Sequence, residues 1–234
     1  MTLKETALAR LTGNRLLYLD MLEVLRRGTA QIRWAGPDGV LLYDPPSEVW
    51  FVDAETPAAL DEMLPLMEGC TILTGHQMWY KDRLAARFGF QTEQICLQSA
   101  WMSPQPPVVP SFGGEIRLLD RSWAEWTESR YSHSFGGVAY MESAIDRGML
   151  GAFVDGLPAG FIATHIEGSM GMLEVLPQYR RRGVGEALLL AMTAFCLEQG
   201  KYPYGQVWTS NTPSLALQRK TGMTLSDELI FWIF

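Results

Sequence analysis

The chain has 234 residues, 47% of them hydrophobic and 19% charged, with a formal charge of −7. That is long for one domain and short for two full-sized ones, and it carries enough apolar side chain for a real core, which excludes a disordered chain. The acidic balance, with a pI of about 5.0, argues against a nucleic-acid partner, because phosphate backbones need a dominant electropositive face. The three cysteines, Cys70, Cys96 and Cys196, are far apart and odd in number. They suggest neither a disulfide framework nor a metal site, so no metal and a cytoplasmic setting are expected. No run approaches the ~18–20 apolar residues of a membrane span, and no leader pattern opens the chain, so no membrane association is expected.

Along the chain, apolar residues at helical spacing predict a helix over Asn14–Arg27, closed by Gly28. Gln31–Trp34 and Val40–Tyr43 flank Gly36-Pro37-Asp38-Gly39 and read as a β-hairpin, with a third strand over Glu48–Val52. Thr56-Pro57 opens a helix, with threonine as cap and proline in the first turn. A strand at Thr71–Thr74, a helix at Trp79–Phe88 and a strand at Gln94–Gln98 follow. Residues 103–114, SPQPPVVPSFGG, hold four prolines and two glycines and predict a linker. The expected division is therefore 1–102, a linker at 103–114, and 115–234.

Beyond the linker come a strand at Glu115–Leu118, helices at Trp123–Tyr131 and Val138–Arg147, and a hairpin turning at Asp155-Gly156. Met172–Leu176 is the next strand and Gly183–Gln199 a long apolar helix. A strand at Gln206–Thr209, a helix at Thr212–Lys220 and a strand at Leu229–Phe234 complete the chain. Hairpin, strand, helix, strand, helix and strand thus occur twice. Setting Gly89 on Gly222 places Leu84 on Leu217 and Arg87 on Lys220, which suggests an internal pseudo-repeat.

The chemically loaded segment is Met172–Leu176 followed by Pro177-Gln178-Tyr179-Arg180-Arg181-Arg182-Gly183-Val184-Gly185-Glu186. A strand, a glycine turn and a helix start present unpaired N–H groups at the positive end of a helix dipole, and the arginines add charge that suits a pyrophosphate. A solvated basic loop with glycines needed only for the turn would account for the same residues.

The run LEVLPQYRRRGVGEALL resembles the acyl-CoA signature of the GCN5-related N-acetyltransferases, (Q/R)-x-x-G-x-(G/A), with Arg180, Gly183 and Gly185 at its defining positions. Asn211-Thr212-Pro213-Ser214-Leu215-Ala216-Leu217-Gln218-Arg219-Lys220-Thr221-Gly222-Met223 resembles the family's N-x-x-S-x-x-L-Y-x-K-x-G-F helix, with Met for Phe and Gln218 for Tyr. The resemblance covers residues 113–234. It implies an α/β fold with a mixed central sheet flanked by helices and an N-terminal degenerate half, in a tandem arrangement similar to FR47-like proteins and glycine N-acyltransferases.

It further implies acetyl-CoA or another acyl-CoA as co-substrate and a small-molecule amine as acceptor. The edge of Leu173 and Val175 would meet the pantetheine. Arg181, Arg182, Gly183, Val184, Gly185 and Glu186 would surround the pyrophosphate, Arg180 at the first signature position would bind the same co-substrate, and Asn211 and Ser214 would point toward it. Glu174, alternating with Leu173 and Val175, is the leading base for the attacking amine, with His165 and His133 as alternatives. Gln218 cannot yield a proton to a departing thiolate as a tyrosine could, which leaves water, Tyr179 or Tyr204 for that task. A non-catalytic acyl-CoA sensor is the competing reading. The chain is expected to act as a monomer or homodimer.

Overall fold

A computed structural model describes residues 1–133 and 136–234. Eight α-helices and eleven strands are present among them, and the chain folds as two compact units. The first comprises Met1–Ser99 with Gln206–Leu215 and Leu225–Phe234; the second comprises Ala100–Gly205 with Ala216–Thr224. The chain thus returns twice to its first unit after residue 205.

The first unit opens with α1 (Leu3–Leu11), a helix the apolar spacing does not reveal. A capping box marks its start, with Thr2 accepting from the Glu5 N–H and Glu5 accepting from the Thr2 N–H. Then α2 (Leu19–Arg27) ends at Gly28 in the left-handed conformation. The hairpin strands β1 (Gln31–Gly36) and β2 (Gly39–Asp44) are followed by β3 (Val49–Ala54), α3 (Pro57–Met63), β4 (Leu73–Gly75), α4 (Lys81–Phe88) and β5 (Glu93–Ala100). The hairpin runs antiparallel and β3 pairs antiparallel with β2, whereas β4 lies parallel to β3, with Trp50, Phe51 and Val52 opposite Leu73, Thr74 and Gly75.

The second unit holds β6 (Glu115–Leu118), α5 (Ala124–Glu128), α6 (Gly137–Asp146), β7 (Leu150–Val154), β8 (Leu157–Thr164), β9 (Met170–Val175) and α7 (Val184–Glu198). The chain ends with β10 (Tyr204–Trp208), α8 (Thr212–Lys220) and β11 (Thr224–Ile233). Strands β6 to β9 form an antiparallel four-stranded sheet. The other sheet runs β1-β2-β3-β4-β11-β5-β10. Two helices, three strands, helix, strand, helix and strand therefore occur in each half, with β6 added before the second. The helices α4 and α8 both lead into a left-handed glycine, Gly89 at φ 77° and Gly222 at φ 80°.

In the first unit Leu41, Trp50, Val52, Leu60, Met63, Tyr80 and Phe231 form one core. A buried charged network lies beside it. His76 places Nδ1 2.9 Å from the Val52 carbonyl and Nε2 3.0 Å from the Asp20 carboxylate. Both partners are acceptors, which calls for a proton on each ring nitrogen. Asp20 also accepts from the Met21 N–H and the Gln206 side-chain amide. Burial works against a charged ring, but the charge and hydrogen bond of Asp20, aided by Val52 and Asp53, outweigh it and raise the His76 pKa.

The linked stability has a definite sign. A histidine whose folded pKa exceeds its unfolded value of about 6.5 contributes fully below that pH, and the contribution is lost as pH rises through the folded pKa. Chemical denaturation should therefore show stability declining as pH rises above about 6.5. His76→Gln should be less stable at pH 6 and lack that decline; an unchanged pH profile in the variant would remove His76 from the account.

Candidate functional site

In the second unit the four-stranded sheet lies between two cores. Leu150, Ala152, Ile162, Leu173 and Val175 pack with Val184, Leu188 and Met192 of α7, while Phe153, Phe161, Ala163 and Met172 pack with Met141, Ala144 and Ile145 of α6. Met170 belongs to the α7 side and Met172 to the other, although two residues along a regular strand share a face. The register against β8 slips between Phe161 and Ala163, and Met172 takes φ 54°. This bulge inverts the parity of the rest of β9. Leu173 and Val175 consequently face α7, and Glu174 turns to the opposite side.

There Glu174 lines a cleft of about 450 Å³ with Ser129, Arg130, Ser132, Leu176, Gln178 and Arg180. Its Oε2 accepts a 3.1 Å hydrogen bond from Ser132 Oγ, and its Oε1 lies 3.4 Å from Arg180 Nη2. The serines and Arg130 come from the segment after α5, which no motif marks in the sequence. Tyr131, just behind, has its hydroxyl pKa pushed up to about 12, first by burial and then by the charges of Glu174 and Glu167.

The remaining histidine and tyrosine candidates separate clearly. His165 accepts or donates at Nδ1 to the Tyr140 hydroxyl, 2.8 Å away, and its ring packs so closely on Gly171 that a Cβ there would lie 2.3 Å from Nε2. Burial lowers its pKa, Glu167 opposes that, and Arg147 reinforces it. His133 is exposed and meets the Tyr131 ring edge-on. Tyr204 is fully buried and donates to the Glu167 carbonyl, which leaves it unsuited to deliver a proton to a ligand. Tyr179 is partly exposed beside the Arg182 guanidinium. Gln218 is 8% exposed.

On its other edge β9 has no partner in its sheet among the described residues. The Leu176 N–H donates to Ala159 of β8, so strand alternation aims the N–H of Val175, and of Leu173 before it, away from β8. In the first half β3 occupies the same place in the element order, yet its free edge is closed by β4. Strands β9 and β10, the corresponding pair, end different sheets.

The loop after β9 runs through Arg181 at φ 64° and Gly183 at φ 84° into α7. Gly183 caps α7 without any side-chain hydrogen bond, and the first intrahelical bond from this turn is Ala187 N–H to the Gly183 carbonyl. The N–H groups of Val184, Gly185 and Glu186 thus stand at the helix start without helical acceptors. A Cβ on Gly185 would make only ordinary contacts, 3.5 Å from Val175 Cγ2 and 3.7 Å from Leu217 Cδ2. Packing alone does not demand glycine there. Glu186 pairs with Lys220, which offsets an acidic charge in the first turn.

Arg181 and Arg182 belong to this loop, whereas the Arg180 side chain turns to the Glu174 side, where its Nε donates to the Val175 carbonyl at 2.9 Å. Asn211 caps α8, its Oδ1 accepting from the Ser214 N–H at 3.1 Å, and both residues belong to the segment grouped with the first unit. The hollow of about 400 Å³ in the first unit is lined by Arg10, Tyr18, Glu55, His76, Gln77 and Glu228. The adjacent Asp53 is saturated by Arg10, Tyr18 and Gln77. Among the described residues no group of three or more His, Cys, Asp or Glu is placed to hold a metal ion, and no helix is long and apolar enough to cross a membrane.

Residues 147–232 match the family described as FR47-like protein. No curated protein is similar enough in sequence to count as a relative. Among solved structures, a Drosophila protein is similar at a TM-score of 0.77 and 17% identity, covering 99% of this chain and 93% of that one. A GCN5-related N-acetyltransferase from Kribbella flavida is similar at 0.62 and 13%, covering 94% of each chain. A tandem GNAT protein from the clavulanic acid biosynthesis pathway is similar at 0.53 and 18%, covering 99% and 93%. The chain has the GCN5-related N-acetyltransferase fold, and its residues 147–232 are FR47-like.

Proposed function

We propose that the chain is an acyl-CoA-dependent N-acyltransferase that moves an acetyl or other short acyl group to the primary amine of a small molecule. The observation that carries this reading is one strand with two different outlets. The free edge of β9 leads straight into the uncapped N-terminus of α7, while its opposite face presents Glu174 to a polar cleft.

The residues fit a CoA pyrophosphate. The N–H groups of Val184, Gly185 and Glu186 lie at the positive end of α7, Arg181 and Arg182 add charge, and Gly183 permits a backbone that a Cβ would strain. The outward N–H of Leu173 and Val175 suits an extended amide-bearing arm. Acyl-CoA would supply the activated thioester. This chain's own part is to hold the amine in the cleft, with Glu174 taking its proton and the Ser132 hydroxyl fixing the carboxylate. Tyr179 and water are the remaining proton sources for the thiolate.

Gln218 supports the second reading, a non-catalytic acyl-CoA sensor, since an amide stands where the family motif has a tyrosine. Thiol release from acetyl-CoA across an amine panel decides between the two; tight binding without turnover would establish the sensor.

The site makes four further predictions. Gly185→Asp should keep the fold and weaken CoA binding by at least about 100-fold, because a carboxylate would face the pyrophosphate. Gly183→Ala should cost about 1 kcal/mol of stability from its left-handed backbone. Calorimetry on the unmodified chain should give one CoA per chain, since β4 closes the corresponding edge in the first half; a stoichiometry of two would contradict that assignment. Glu174→Gln should lower kcat/KM for the amine by about 100-fold or more while CoA affinity moves less than about threefold, and retained turnover would take Glu174 out of the reaction.

A further inference from the structure

Arg180 stands at the first position of the signature loop, but its guanidinium does not accompany the loop's N–H groups. Its Nε donates to the Val175 carbonyl at 2.9 Å and its Nη2 approaches Glu174 Oε1 at 3.4 Å, while Ser132 holds the other carboxylate oxygen. The side chain lines the Glu174 cleft together with Arg130 and Gln178. One planar cation therefore bridges the last carbonyl of β9 and the carboxylate beside it.

We propose that Arg180 is a positioning residue of the acceptor side, not a pyrophosphate ligand. Its fork ties the end of β9 to the Glu174 carboxylate and fixes the direction from which an amine meets that group. This rests on the acyltransferase reading above. The argument is geometric. Arg180 spans residues 174, 175 and 180, so it closes the turn Pro177–Tyr179 on itself, and the rigid guanidinium matches two acceptors that a single ammonium could not hold in the same relative orientation. The phosphate-facing charge is left to Arg181 and Arg182. The side chain is 58% exposed, so its removal should not unfold the unit.

The test combines calorimetry, kinetics and NMR on the full chain. Arg180→Met should leave the Kd for CoA within about threefold and lower kcat for the amine by about 10- to 100-fold at saturating acetyl-CoA. Arg180→Lys should recover only part of the rate, because charge returns without the fork. In a double-mutant cycle, Arg180→Met combined with Glu174→Gln should be no slower than Glu174→Gln alone, since one acts through the other. A rise of tenfold or more in the CoA Kd for Arg180→Met, or additive effects in the cycle, overturns the proposal. If the wild-type chain turns over no amine, the acyltransferase reading fails separately. The Arg180 Nε–H resonance then still decides: a slowly exchanging signal that stays in place when CoA is added supports the clamp, and one that moves with CoA refutes it.

Discussion

The bulge at Met172 is the constraint on which the candidate site depends. A regular strand continuing from Met170 would bury Glu174 under α7 and aim Leu173 and Val175 at the polar side. One extra residue, held at φ 54°, reverses that. A non-glycine residue in this region costs roughly 1–2 kcal/mol, so the surrounding core must hold it in place. Met172 is 2% exposed, with Phe161 and Met141 in the same cluster.

From that inversion follow the two outlets of β9. Its α7 side is fully apolar, and α7 itself buries Val184, Leu188, Leu189 and Met192 against the sheet. The helix start is therefore pinned directly beyond the strand end, and its N-terminal amide groups are directed by packing and not by any capping side chain. The opposite side is closed by α5 and α6, whose connecting segment contributes Ser129, Arg130 and Ser132 to the cleft. One strand thus leads into the glycine turn before α7 on one side and presents a carboxylate on the other.

The first half shows what happens when the same order of elements is put to structural use. There β4 pairs in parallel with β3, the turn after β3 has Glu55 and no arginine, and Asp53 is saturated by Arg10, Tyr18 and Gln77. The polar groups at that strand end satisfy one another. A closed edge offers no backbone donors, and a saturated carboxylate offers no free acceptor.

By itself the sequence determined the α/β class, most element positions and the glycine turn ahead of α7, because glycine at Gly183, the apolar run of α7 and the prolines of residues 103–114 act through local backbone rules. The alternation of Leu173, Glu174 and Val175 was also legible, since it needs only the period of a strand. Helix α1 was not, for it is held by a capping box and not by a strong apolar stripe. The tertiary structure alone decided which face each side chain took, because the Met172 bulge depends on packing from both cores. It alone placed Ser132 beside Glu174, 42 residues away in the chain, and returned Gln206–Leu215 and Leu225–Phe234 to the first unit. It also turned Arg180 away from the loop it was expected to serve, because the Val175 carbonyl and the Glu174 carboxylate lie within reach of its fork. Contacts between residues distant in sequence leave no periodic trace, and side-chain direction within a charged run is set by whichever acceptors the fold brings near.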